Sequence, residues 1–203
     1  MPSMTRRKLT ALALVACAPF ATSAALAQGA YPTKPITLVV PTAAGGTTDL
    51  SARMLAQGLT PVIGQSVVVD NKGGGNGNIA ASIVKRAEAD GYTLFLQYSG
   101  YHVISPHLTK VAQWQQGDFQ PVANVISAPQ IIVVRDGLPV KTLAELITYA
   151  KANPGKLNYA SSGNGSLQHV TGAMLEQQGG VKMVHVPYKG TGPALQDLLG
   201  GQV

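Results

Sequence analysis

Ile36-Thr37-Leu38-Val39-Val40-Pro41-Thr42-Ala43-Ala44-Gly45-Gly46-Thr47-Thr48-Asp49 is the stretch from which the fold is read. Its first five residues form a short apolar run closed by a proline, the pattern of a buried strand. Gly45 to Asp49 make a tight turn with N-cap residue types. They open a helix to about Ile63, with Leu55, Leu59 and Val62 on one face. The same unit then recurs. Val67-Val68-Val69 reads as a second strand, and a glycine-rich turn from Gly73 to Asn78 leads to a helix carrying Ile79, Ile83, Val84 and Ala87. Asp90-Gly91 turns the chain into a third strand, Tyr92 to Gln97. Alternation of this kind indicates βαβ units and a mainly parallel sheet.

Farther along, Tyr101 to Gly117 is less regular, with polar residues and Pro106. Two extended runs, 122–126 and 130–134, are joined through Pro129 and suit either a crossover between two lobes or a hairpin. The alternation resumes at Thr142-Leu143-Ala144-Glu145, a capping box whose helix stops at Asn153-Pro154-Gly155. Leu157 to Ala160 and Val181 to Val186 read as strands. Between them a helix follows Ser166 with Leu167, Val170, Thr171, Met174 and Leu175 on one stripe, and a last helix ends at Gly200-Gly201. Two α/β lobes are therefore expected, over 28–120 and 121–203. A further strand should follow the last helix, so the chain reads as a truncated product or fragment.

Of the 203 residues, 45% are apolar and only 12% charged, which excludes general disorder. The net charge of +6 is half due to Arg6, Arg7 and Lys8. The remaining basic residues are scattered singly, so no nucleic-acid-binding stripe exists. That basic cluster precedes an apolar run from Leu9 to Phe20 and an A-x-A site at Ala25-Leu26-Ala27. These are the parts of a secretory signal peptide over residues 1–27. The run is about 12 residues, short of the roughly 20 needed to span a bilayer. Thr5-Arg6-Arg7 is a weak twin-arginine match, and Leu14-Val15-Ala16-Cys17 resembles a lipobox; cleavage after Ala27 is preferred to lipidation at Cys17. The single cysteine leaves no disulfide framework or Cys-based zinc site.

Three turns share one chemical character: Thr42 to Asp49, Ser161 to Ser166, and Tyr188 to Gly192. Each is expected at the carboxyl end of a strand and at a helix start, where open α/β sheets bind ligands. Glycine allows close backbone approach, and the first amides of a helix attract anions. Ordinary capping is the alternative for any single turn. Gly75-Asn76-Gly77-Asn78-Ile79-Ala80 fits G-x-G-x-x-A but lacks the acid expected after the next strand, so it reads as a tight turn. The four histidines lack metal-ligand spacing. His169 sits one turn into a helix, where packing or solvation competes with a cleft role. Asp49 either complements the helix dipole or has a functional role, orienting the turn or meeting a ligand's cationic group. Tyr98, Tyr101 and Tyr188 could line a cleft or simply be half-buried.

The ordered motifs Tyr31-Pro32-x-Lys34-Pro35-Ile36, Pro41-x-x-x-Gly45-Gly46-x-x-Asp49, Val69-Asp70-Asn71-Lys72, Asp90-Gly91-Tyr92-Thr93-Leu94, Pro154-Gly155-Lys156-Leu157-Asn158-Tyr159-Ala160-Ser161-Ser162-Gly163 and Val186-Pro187-Tyr188-Lys189-Gly190 resemble one family. It is the solute-binding proteins of tripartite tricarboxylate transporters, the Bug proteins. The resemblance implies an α/β, two-lobed fold of the periplasmic-binding-protein type (type II, Venus flytrap), incomplete at the C-terminus. It implies a non-enzymatic periplasmic receptor, monomeric and without cofactor or metal, that passes a small carboxylate to a membrane permease. Family ligands include di- and tricarboxylates, acidic amino acids and aromatic acids.

By motif position the resemblance places first-lobe contacts at Thr42, Ala43, Gly45, Gly46, Thr47, Thr48 and Asp49, and at Tyr98, Ser99 and Gly100. Second-lobe contacts fall at Ser161, Ser162, Gly163, Gly165, Ser166 and His169, and at Tyr188, Gly190 and Thr191. Thr42 departs from the phenylalanine usual in the family, and family members run about half as long again. Two alternatives remain: an exported serine hydrolase using Ser162 or Ser166 with His169, although G-x-S-x-G is absent, and a nonfunctional remnant of the receptor.

Overall fold

A computed structural model describes residues 31–108 and 114–203. The export signal expected over 1–27, with Cys17, lies outside the described residues. Every element below lies in the unit Lys34–Val203.

The first strand, β1 (Ile36–Val40), leads into helix α1 (Thr47–Ile63), followed by β2 (Val67–Asn71), α2 (Asn78–Arg86), β3 (Thr93–Phe95) and α3 (Ser99–Leu108). The three strands form a parallel sheet in the order β2-β1-β3, with Leu38 opposite both Val69 and Leu94. A central parallel strand is covered on both faces. That is why β1 is apolar at every position but Thr37, with Ile36, Leu38, Val39 and Val40 all buried.

After a long connection come α4 (Leu143–Ala152), β4 (Asn158–Ser161), α5 (Leu167–Gly179), β5 (Val184–Pro187) and α6 (Thr191–Leu199). Here β4 and β5 pair in parallel, with Tyr159 opposite His185. The expected capping box starts α4. The Glu145 amide donates to Thr142 Oγ1 at 3.2 Å, and the Thr142 amide donates back to Glu145 Oε2 at 3.2 Å.

Three local expectations are corrected by packing. The buried side of α1 carries Asp49, Ser51, Ala52 and Ala56, whereas Val62 is 79% exposed. Ala52 sits in one cluster with Leu38 and Val40 while Leu55 packs at its margin, so the helix meets the sheet through small side chains. Of the stretch Tyr101 to Gly117, expected to be less regular, the part up to Leu108 folds within α3. It is held by an aromatic cluster in which the Tyr101 ring stacks on Trp114 at 4.8 Å and Phe95 and Phe119 close the edge. Residues 122–126 and 130–134 form no strand, so of the two readings the hairpin falls, and Val122 is 85% exposed.

Candidate functional site

The loop after β1 is organised by its own carboxylate. Asp49, only 2% exposed, accepts the Gly45 amide at 2.9 Å and Arg53 Nε at 3.1 Å on Oδ2, while Oδ1 pairs with an Arg53 terminal nitrogen at 3.1 Å. Burial alone would raise the Asp49 carboxyl. Hydrogen bonds from Arg53, Gly45 and Asn71, together with the Arg53 charge, outweigh it and hold the group below its ordinary 3.8. Asp49 therefore orients the turn.

A carboxyl depressed by folding stabilises the native state above its unfolded value, and this contribution disappears as pH falls through the folded value. Asp49→Asn is expected to lower stability by about 1 kcal/mol at neutral pH, discounted because Arg53 is half exposed, and to flatten the acid limb. Urea titrations at neutral and acid pH measure both effects.

The loop beyond Pro41 packs on the loop after β5. The Ala43 amide donates to the Lys189 carbonyl at 2.8 Å. Gly190, Gly192 and Gly73 fit this junction because a Cβ on any of them would press on the backbone of residues 42–45. Thr42 is buried there, with its hydroxyl unpartnered among the described residues. Thr47 accepts Ser51 Oγ at 2.7 Å in the first turn of α1, and Gly46 lies against Thr191. Thus Thr42 to Asp49, Gly190 and Thr191 are gathered at a junction between the two sheets' loops.

Beside that junction opens a cleft of about 680 Å³. It is lined by the turn Gly74–Asn78, Tyr98, the turn Ser162–Gly165, His169, and Pro187–Lys189, with Pro41 and Leu108 at its apolar margin. Its size suits a small-molecule site. A second hollow of about 800 Å³ along Val134–Lys141 is formed by one loop and the start of α4, away from the glycine turns. Of the residues proposed from sequence, Tyr98, Ser162, Gly163, Gly165, His169 and Tyr188 line the cleft. Ser161 and Ser166 are buried. Ser99 and Gly100 begin α3, where Gly100 closes against Leu167 of α5.

The turn Gly74–Asn78 has the sequence pattern of a simple tight turn, yet it supplies one wall. Asn76 adopts left-handed backbone angles (φ 49°). Its Nδ2 donates to Ser105 Oγ at 2.6 Å, and its Oδ1 accepts the Tyr98 hydroxyl at 3.1 Å. The signal available was an asparagine between glycines directly after a strand. Asparagine tolerates the left-handed region better than most residues. Burial pushes the Tyr98 phenol above its ordinary value, partly offset by a hydrogen bond with Ser162, so it remains a donor at neutral pH.

On the opposite wall, Ser166 caps α5 by accepting the His169 amide at 3.2 Å. The Gly165 amide donates to His169 Nδ1 at 3.0 Å, and Ser162 Oγ donates to Gln168 Oε1 at 2.9 Å. Ser162 and Ser166 are thus engaged by groups other than the His169 ring, and the hydrolase alternative gains no support. Ser161 Oγ instead meets His185 Nε2 at 2.6 Å, in a buried position. The Tyr188 hydroxyl donates to Asp197 Oδ2 at 2.5 Å, a bond that raises its pKa. Among the described residues no group of three His, Cys, Asp or Glu side chains could hold a metal ion.

The profile of the tripartite tricarboxylate transporter family receptors (TctC) matches residues 51–203. A UPF0065 protein from the TAR-I ttuE-ttuC' intergenic region of Agrobacterium vitis is 36% identical over 88% of this chain and 52% of its own length. The structure of the periplasmic binding protein BugD is 40% identical, with a TM-score of 0.76, over 85% of this chain and 58% of that one. MatC from Rhodopseudomonas palustris with bound malate is 35% identical, with a TM-score of 0.79, over 85% and 59%. The chain thus spans little more than half the length of these relatives. Its two parallel sheets are those of the two-lobed periplasmic-binding-protein fold. With its profile match, its parallel sheets and its loop-lined cleft, the chain belongs to the tripartite tricarboxylate transporter family receptors.

Proposed function

We propose that this chain carries the ligand cleft of a periplasmic receptor, exported by a signal over residues 1–27, that captures a small carboxylate and delivers it to a membrane permease. It acts by binding, without turnover, as a monomer whose lobes span 28–120 and 121–203. The observation that carries the reading is the cleft of about 680 Å³ lined by glycine turns from both sheets, Gly74–Asn78 and Ser162–Gly165. Tyr98, His169 and Lys189 line it, with the Tyr98 hydroxyl tied to Asn76 Oδ1. The His169 ring and the Lys189 cation suit a carboxylate, since a hydrogen bond to a charged group outweighs one between neutral groups. The malate bound to MatC supports the same ligand class. Thr42 to Asp49, Gly190 and Thr191, proposed from sequence as contacts, then act by fixing the junction beside the cleft.

Thermal melts with malate, tricarboxylates, acidic amino acids and aromatic acids test this reading. One ligand of the panel is expected to stabilise the chain by about 2.7 kcal/mol at a hundred times its Kd. Asn76→Ala, which removes the tie between Tyr98 and Ser105, should weaken that ligand roughly tenfold. No shift with any carboxylate, or ester hydrolysis lost on replacing Ser162 or Ser166, would reject the receptor.

A further inference from the structure

In the Ser161–Ser166 turn two glycine amides donate to side chains. The Gly163 amide donates to Ser161 Oγ at 3.1 Å, and the Gly165 amide donates to His169 Nδ1 at 3.0 Å. Both acceptors rest on one side chain outside the turn. His185 Nε2 lies 2.6 Å from Ser161 Oγ, and the His185 ring lies face to face with His169, centroids 3.9 Å apart and planes 12° from parallel. Tyr159 flanks His185 on its own sheet, with ring centroids 5.0 Å apart. Burial, then the nearby His169, lower the His185 pKa, with Glu176 partly opposing, so an uncharged ring lies beneath the turn.

Because Nδ1 of His169 accepts an amide proton, it carries none of its own, and the proton of the neutral ring resides on Nε2. His169 lines the cleft and His185 does not. We propose that His185 is a positioning residue for ligand capture: from behind the cleft it braces the Ser161–Ser166 turn at both glycine amides and leaves His169 Nε2–H as the donor to a ligand carboxylate. This inference rests on the receptor reading for the ligand and on the turn's own geometry for the bracing.

The test is long-range 15N–1H spectroscopy of the 15N-histidine-labelled chain, with His169 assigned through His169→Gln. At neutral pH the free native chain should show His169 in its Nε2–H form, and malate should perturb that Nε2 resonance. In His185→Ala the ring should sample both tautomers and malate affinity should fall roughly tenfold. His185→Phe, which keeps a flat face for stacking, should restore the single tautomer. An Nδ1–H His169 in the native chain, a measurement that requires no variant to fold, overturns the proposal. So does His185→Ala with tautomer and malate affinity unchanged. If His169 is in its Nε2–H form while no carboxylate of the panel binds, the receptor reading fails and the bracing by His185 stands.

Discussion

Trp114→Ala is expected to destabilise the chain by about 3–5 kcal/mol, the range for truncating a buried indole. Trp114 is 1% exposed, stacks on Tyr101, and donates its indole N–H to Asn78 Oδ1 at 2.7 Å. Truncation opens a cavity between α2 and α3 and removes a donor from Asn78, the first residue of α2. Asn78 adjoins the turn that carries Asn76, so the loss reaches the wall of the cleft. For a chain of this size the melting temperature should fall by roughly 10 °C. Trp114→Phe preserves much of the ring contact and loses only the hydrogen bond, so it should cost less than half as much. Melts monitored by circular dichroism decide the matter. An alanine variant within a few degrees of the native chain would show that the aromatic cluster does not hold α3 in place.

Gly192→Ala should cost about 3 kcal/mol, at the upper end for overpacking. A Cβ there would overlap the Ala44 carbonyl oxygen and lie 3.2 Å from the Gly45 carbonyl carbon. Both are backbone atoms, so no side-chain rotation relieves the overlap. The loop after β1 and the start of α6 must separate, straining the Ala43–Lys189 hydrogen bond beside the cleft. Gly58 makes the contrast. It lies in the middle of α1 with nothing within 4 Å of its would-be Cβ. Gly58→Ala should stabilise by about 0.5–1 kcal/mol through helix propensity alone. Urea unfolding of the two variants should therefore move in opposite directions. A Gly192→Ala variant as stable as the native chain would mean the loops are not in backbone contact.

Much of this was readable from local patterns. The strand at Ile36–Val40 is apolar without alternation because it is covered on both faces, and a five-residue run ending in proline states that directly. Ser166 and the Thr142–Glu145 pair lie where their side chains cap helices, an interaction within four residues. Asp49 lies within four residues of both its partners, the Gly45 amide and Arg53.

The sequence alone thus determined the alternation of strands and helices, the parallel pairing, the Thr142–Glu145 capping box and the family, because these depend on side chains close along the chain or on ordered motifs. Tertiary structure decided which loops touch and which remain open. Trp114 meets Asn78 across 36 positions, Ser161 meets His185 across 24, and Asn76 meets Ser105 across 29. No periodicity encodes such pairs, since they exist only once the sheets place distant loops together. For that reason the Gly74–Asn78 turn became a wall of the cleft, while the loop after β1, with the same glycine-rich character, became a packed junction.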